Sequence, residues 1–184
     1  MGSCYNDRPA NKVLDLQPFD DIPEKQVLEI YSRIKTVYDT VIIRNAIPLP
    51  HQAYTAPRNR YRADSLIRFL KKRVGENTTV IGLTSKDIST TKGKYPDFGI
   101  MGLAYSPGNS CVISSFRLNK NKLPDQLYKL AIHELGHTTG LPHCKINSCY
   151  LRDAKGGNPL EEETSFCKTC QAHLQKNGWK LPGR

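Results

Sequence analysis

The chain has 184 residues, which is enough for one domain with a hydrophobic core of its own. Its hydrophobic content of 38% is ordinary for a globular protein, and no apolar run approaches the roughly 20 residues of a membrane-spanning helix. The formal net charge is +10, but the basic residues are scattered and do not alternate with aromatic ones, so we expect no nucleic-acid partner.

The first half of the chain predicts strands that alternate with helices. Apolar alternation and β-branched runs indicate the strands, while helical spacing of apolar residues with a nearby proline or glycine indicates the helices. The predicted order is a strand at 12–17, a helix with Pro23 in its first turn, a buried strand at 39–45, a helix at 63–74 and a strand at 78–84.

The second half predicts a hairpin followed by one long helix. Residues 97–105 and 110–118 predict two strands, because the turn sequence "SPGN" separates them. Residues 124–140 predict a helix that ends in glycine. After it we predict loop, except for a short helix at 166–177.

Together these elements predict one domain over 1–184, of α/β class with some α+β character. We expect residues 1–140 to form a mixed twisted sheet flanked by helices. Residues 141–184 contain little regular structure, so we expect an irregular C-terminal subdomain that needs another source of order.

The stretch "HELGHTTGLPHC" carries the strongest chemical signal. His133 and His137 are four residues apart, so they lie on one face of a helix, and Gly140 lets the chain turn so that His143 reaches the same point. Three imidazoles predict a catalytic zinc site with an open position for water, which Glu134 can deprotonate. The alternative is a core helix that carries histidines by chance, which the extended spacing disfavours.

Four cysteines follow the histidine helix, spaced as a Cys-x4-Cys pair and a Cys-x2-Cys pair: Cys144, Cys149, Cys167 and Cys170. Four thiolates in this arrangement predict a closed tetrahedral zinc site that would order the irregular tail. Two disulfides are the alternative if the protein is exported. We favour zinc, because a Cys-x2-Cys pair is a common ligand arm.

Taken together, "HELGHTTGLPHC", Cys149 and "FCKTC" resemble the archaemetzincins, a metzincin-type family of zinc metallopeptidases. The likeness extends upstream, less sharply, to "IPLPHQAYTAPRNRYRADSLIRFL", "IGLTSKDI" and "SCVISSFRL". It implies a metzincin-like sheet, a catalytic zinc on the three histidines, Glu134 as general base and a second, structural zinc on the four cysteines. Two Zn²⁺ ions per chain are therefore expected.

One position departs from the family's pattern. Two residues after its second cysteine the family usually has methionine, beneath the catalytic zinc, whereas this chain has Leu151. Leucine is apolar and of similar volume, so we expect a preserved hydrophobic floor. The preceding Tyr150 stands where some metzincins bring a tyrosine to the metal, although an ordinary packed tyrosine is the simpler expectation.

By the same resemblance, residues 110–115 would form the edge strand of the sheet above the cleft. A peptide substrate could then add to this strand through main-chain hydrogen bonds, with Val112, Ile113 and Ser114 as the substrate-binding residues. A plain edge strand with no such role is the alternative.

The resulting functional hypothesis is a zinc metallopeptidase that acts on peptide or protein substrates as a monomer. Its reaction would be peptide hydrolysis by a zinc-bound water that Glu134 activates. A catalytically weak or inactive zinc-containing peptide-binding protein is the alternative, and Leu151 leaves some room for it. A zinc-ribbon nucleic-acid binder would leave the histidine helix unexplained.

The N-terminal sequence "MGSC" leaves two expectations for the protein's location. If Gly-Ser-Cys ends a bacterial lipoprotein signal, Cys4 would carry a lipid anchor and the protein would act outside the cytoplasm. If it is an ordinary start, the protein is cytoplasmic. Myristoylation is not expected, because position 6 is asparagine.

Overall fold

The computed structural model describes residues 13–182. Four α-helices lie within this range, and they are α1 (Glu24–Ile34), α2 (Ala63–Lys71), α3 (Leu123–Thr138) and α4 (Lys168–Lys176). The nine strands are β1 (Val13–Pro18), β2 (Thr40–Ile43), β3 (Tyr54–Thr55), β4 (Arg60–Arg62), β5 (Thr78–Thr84), β6 (Ile88–Lys92), β7 (Tyr95–Ile100), β8 (Gly102–Ala104) and β9 (Ser110–Ser114). Three 3₁₀ turns occur at His51–Ala53, Ala56–Arg58 and Lys120–Lys122.

The strands form two mixed sheets. The larger sheet has the order β2-β1-β5-β9-β8, with β8 antiparallel to β9 and the other strands parallel. The smaller sheet has the order β3-β4-β6-β7. The predicted mixed α/β fold with helices around a sheet is therefore confirmed.

Helices cover both faces of the larger sheet because its central strands are apolar on both sides. In β5, Ile81 and Leu83 join the core that contains α1 and α3, whereas Val80 joins the core that contains α2. All three side chains are buried. Strands that are covered on both faces are typical of parallel sheets, and this arrangement holds α3 firmly against the sheet.

Between Gly140 and residue 182, where the described part of the chain ends, there is one helix, α4, as predicted, and otherwise only loops and isolated bridges. Its apolar side chains do not form a separate core, because Leu151, Phe166, Leu174 and Trp179 pack into the same cluster as α1 and α3. The C-terminal segment is therefore anchored directly behind the histidine helix.

Three details of the predicted strands are wrong. Residues 97–105 do not form one strand, because the chain passes from β7 in the smaller sheet to β8 in the larger one at Met101. The predicted strand at 110–118 ends at Ser114. The predicted strand at 39–45 is β2, which lies at an edge and is partly exposed rather than buried.

Candidate active site and metal centres

The three histidines of the motif converge on one point. Their ring centroids lie 4.6 Å apart for His133 and His137, 4.6 Å for His137 and His143, and 5.5 Å for His133 and His143. The first two project from neighbouring turns of α3. Gly140, with a φ of +92°, then reverses the chain so that His143 returns to the same side.

Main-chain carbonyl oxygens fix the orientation of two of these rings. His133 donates from Nδ1 to the oxygen of Tyr150 at 2.7 Å, and His137 donates from Nδ1 to the oxygen of Leu141 at 2.6 Å. A carbonyl can only accept, so the proton of each neutral ring is on Nδ1 and the lone pair is on Nε2. This outward hydrogen bond is the arrangement that metal-ligating histidines usually have.

The geometry and charge state of these rings fit a metal ion. The two Nε2 atoms of His133 and His137 lie 3.1 Å apart, close to the roughly 3.3 Å expected between two nitrogens of a tetrahedral zinc site. Burial lowers the pKa of His133 to about 3, and it also lowers the pKa of His137. Both rings are therefore neutral at neutral pH, as metal ligation requires.

Glu134 lies beside this point but is not one of the converging ligands. Its side chain is buried, and burial raises the pKa of its carboxyl group to about 8. The carboxylate rests against the main chain of Gly102 in β8, since a Cβ atom at that glycine would lie 2.5 Å from Glu134 Oε1. Gly102 thus leaves the space in which the glutamate sits, next to the outer strand of the larger sheet.

The four cysteines form a second cluster. Their sulfur atoms lie within 4.8 Å of one another and carry no disulfide bonds. Cys144 and Cys167 have an Sγ–Sγ distance of 3.8 Å, which matches the roughly 3.8 Å expected for two thiolates on one tetrahedral zinc. A disulfide would require about 2.05 Å. The geometry thus fits the predicted metal cluster and does not fit the disulfide alternative.

Two of these thiols depend on a bound cation for their ionisation. Burial raises the pKa of Cys149 to about 11 and raises that of Cys170 further. Neither sulfur would ionise at neutral pH without a partner, whereas a bound metal ion deprotonates its thiol ligands. The main-chain N–H of Cys167 points at Cys149 Sγ, and that of Ile146 points at Cys144 Sγ, which supports charge on both sulfurs.

The two clusters are joined by a short stretch of backbone. Cys144 directly follows His143, and its N–H donates to the carbonyl oxygen of Leu151 at 2.7 Å. Leu151 is fully buried and packs against α3 at Gly136, where a Cβ atom would lie 2.9 Å from its Cδ2. Leu151 is therefore a buried apolar residue against the histidine helix, as the expected hydrophobic floor requires.

The comparisons with known proteins agree with this geometry. The model of peptidase family M54 matches residues 16–176, which is most of the chain and includes both clusters. This chain belongs to peptidase family M54. A curated archaemetzincin of Natronomonas pharaonis is 31% identical over 175 residues, which cover 88% of this chain and 98% of that protein.

Two solved structures of M54 relatives have the same fold. The archaemetzincin of Methanopyrus kandleri has a TM-score of 0.77 at 29% identity, covering 92% of this chain and 97% of that chain. The archaemetzincin of Archaeoglobus fulgidus, complexed with malonate, has a TM-score of 0.75 at 26% identity, covering 87% and 98%. Together, family and relatives identify this M54 protein as a zinc metallopeptidase.

The position predicted for substrate binding in this M54 peptidase needs a correction. Strand β9 is not at the edge of the sheet, because it pairs with β5 on one side and with β8 on the other. Val112, Ile113 and Ser114 are fully buried as a result, and the N–H of Ser114 is used by the carbonyl oxygen of Met101. These three residues cannot offer their main chain to a peptide, and the edge strand next to β9 is β8.

Tyr150 contributes its main chain, rather than its phenol, to the site. The hydroxyl donates to the carbonyl oxygen of Thr164 at 2.6 Å, and the ring packs edge-on against Phe166 with centroids 5.1 Å apart. The carbonyl oxygen accepts the hydrogen bond from His133 described above. Tyr150 is therefore an ordinary packed tyrosine, and its carbonyl oxygen orients the ring of His133.

Beside the histidines lies a cavity of about 340 Å³ that no sequence motif predicts. Its lining brings together His133, Glu134 and His143 with residues from β8, from the loop 152–160 and from the segment that contains Glu163. These segments are far apart in the sequence and have no motif in common. Only the tertiary fold makes them neighbours.

Within the described residues, no helix is long and apolar enough to cross a membrane. Cys4, the residue at which a lipid anchor was predicted, lies outside the described residues.

Proposed function

We propose that this M54 metallopeptidase hydrolyses peptide bonds at His133, His137 and His143, with Glu134 as the general base. The observation that supports the proposal is the convergence of three imidazoles beside a buried carboxylate that is not itself one of the converging ligands. A catalytic zinc there and a structural zinc on the four cysteines would give two ions per chain.

The reaction needs a proton acceptor next to the attacking water, and Glu134 lies beside the three histidines where it can be that acceptor. Zinc held by the three histidines would supply Lewis acidity, lowering the pKa of water and polarising the scissile carbonyl. Glu134 takes the proton from the attacking water and delivers it to the departing amine nitrogen. Its buried position beside His133 and His143 lets the same carboxylate serve both proton transfers.

We propose that the substrate backbone adds to β8 rather than to β9. Strand β8 pairs on one side only, and Gly102 lies directly against Glu134. A peptide that extends the sheet at this edge would place its scissile bond beside the carboxylate, with main-chain hydrogen bonds fixing its register.

A peptide-library digest tests this function. Native protein incubated with zinc should cleave a defined subset of peptides, as read by mass spectrometry. A chelator should abolish cleavage and added zinc should restore it. Failure of the zinc-loaded protein to cleave any peptide in a broad library would favour the zinc-containing peptide-binding protein instead.

Metal analysis should find two zinc ions per fully loaded chain. Mild chelation should remove the ion at the histidines first, because His143 is exposed while two of the four cysteines are buried. Zinc content and thiol accessibility, followed together during chelation, measure this order. A saturated protein with a single zinc would contradict the two-site proposal.

We further propose that a monomer suffices, since one chain supplies both clusters and the cavity. The lipid anchor at Cys4, and with it the choice between a cytoplasmic and an extracytoplasmic location, stays a prediction.

A further inference from the structure

The cavity beside the histidines lies on the side of Glu134. His133, Glu134 and His143 line it, whereas His137 is outside it. In the proposed reaction Glu134 protonates the amine that leaves, so the residue following the scissile bond lies on this side. The cavity, with about 340 Å³, is large enough for one long side chain of that residue.

Glu163 gives the buried part of this cavity a carboxylate oxygen without a hydrogen-bond partner. Its relative exposure is 1%, it lines the cavity, and its Oε2 atom is buried with no hydrogen-bond partner. A buried charge or polar atom without a partner is costly, and such atoms are rare in folded proteins. Burial raises the pKa of this group to about 7, although the nearby charges of Lys129 and Arg152 act to lower it.

The nearest cations do not fill this role, because other groups already hold them. Lys129 lies 2.8 Å from Asp125 Oδ2 and donates to the carbonyl oxygen of Leu160 at 2.8 Å. Arg152 pairs with Glu162. Asp125 also pairs with Arg33, so these cations are held by Asp125, Glu162 and the carbonyl oxygen of Leu160, and none of them forms an ion pair with Glu163.

The rest of the cavity suits the stem of a long side chain. Buried Leu130 and Leu160 line it together with partly buried Ile100. Lysine and arginine bury apolar stems against such walls while their charged ends reach a polar partner. Of the other basic residues in the lining, Arg117 pairs with Asp87, and Lys92 and Lys155 are exposed, so water and salt screen their repulsion far more than they screen the buried Glu163.

We propose that Glu163 is a specificity-determining residue that selects substrates with lysine or arginine immediately after the scissile bond. The incoming ammonium or guanidinium group pairs with the buried carboxylate, and the cavity walls enclose the stem. This inference rests on the proposed function, since it assumes that the peptide lies along β8 with its bond beside Glu134.

The test uses zinc-loaded protein and two hydroxamates that anchor on the catalytic zinc. Their first side chain is lysine in one and norleucine in the other, so they differ only by the terminal ammonium group. We expect the lysine compound to bind the native protein roughly 10- to 100-fold more tightly, as measured by calorimetry at fixed salt. In Glu163→Gln the ratio should fall to about one, with norleucine binding nearly unchanged.

Two further variants control for unspecific effects of the Glu163→Gln substitution. Glu161→Gln makes the same chemical change two residues away, at an exposed carboxylate that pairs with Lys122 outside the cavity, and it should keep the native ratio. Glu163→Asp retains the charge and should keep part of the preference, even if Glu163→Gln does not fold.

The outcomes separate this inference from the peptidase activity. A native ratio near one, or a lysine preference that survives in Glu163→Gln, would overturn the role of Glu163. Digests that show cleavage with no enrichment of lysine or arginine after the cut would overturn it as well, while leaving the peptidase intact. A clear hydroxamate preference without cleavage of any peptide would support Glu163 and refute the peptidase.

Discussion

Replacing Cys167 by serine should loosen the whole segment after Gly140 and weaken zinc binding at the histidines. Cys167 stands at the start of α4, and its sulfur lies 3.8 Å from that of Cys144. Loss of one thiolate from a four-thiolate site removes much of the metal-binding energy that becomes folding energy. Limited proteolysis should therefore cut this segment faster than in the native protein.

The effect should reach the histidines because Cys144 adjoins His143. Outer groups that orient metal ligands typically change metal affinity by about 10- to 100-fold when they are altered, and we expect a loss of that order at the histidine site. Competition with a chelator measures this loss of zinc affinity.

Cys111→Ser is the matched control, because this thiol is buried in β9 outside the cluster. The substitution should lower the stability of the fold but leave both zinc ions bound. Unchanged zinc affinity and unchanged proteolysis in Cys167→Ser would rule out a four-cysteine site.

The metal clusters could be predicted because their geometry is nearly local. Helical periodicity alone brings His133 and His137 together, and one glycine with positive φ returns His143. Each of the two cysteine pairs is likewise close together in the sequence. Prediction of the four-cysteine cluster therefore required only one long-range assumption, which is that the two pairs meet. The position of Leu151 followed from its similarity in size to methionine.

The pairing of strands could not be predicted in the same way. Whether a strand is central or at an edge depends on which distant segment lies beside it, and β8 carries too few residues to show an alternation of its own. The smaller sheet was missed for a related reason, since β6 reads "ISTTK", with one apolar residue and a polar continuation. The resemblance assigns the edge role to β9, but the apolar run of this strand is typical of one that is covered on both faces.

The buried position of Glu163 in the cavity could not be predicted from the sequence either. Glu163 stands in a run of three glutamates, where the usual expectation is solvent exposure, and Glu161 and Glu162 meet that expectation. Only the packing of this segment against α3 turns the third carboxylate inward. Its predicted role consequently depends on the fold and not on any motif.

Glu134→Gln should abolish most peptidase activity and leave zinc in place. Glutamine has the same shape, so it can keep the contact with Gly102, but its amide cannot accept a proton from water at neutral pH. General-base catalysis contributes roughly 10²- to 10⁴-fold, and kcat/KM should fall by at least that factor. Zinc content measured on the same sample should be unchanged, because Glu134 is not among the converging ligands.

Leu151→Met is the comparison that separates proton transfer from packing beneath the histidines. Leu151 is fully buried against Gly136, and methionine of similar volume and greater flexibility can fill the same space. We expect this variant to change kcat/KM by less than about tenfold, since the exchange should cost under roughly 1.5 kcal/mol even if all of it were felt in the transition state. A Glu134→Gln protein that cleaves peptides at the native rate would remove Glu134 from the mechanism. Equal losses in the two variants would mean that the site depends on packing around α3 rather than on the base.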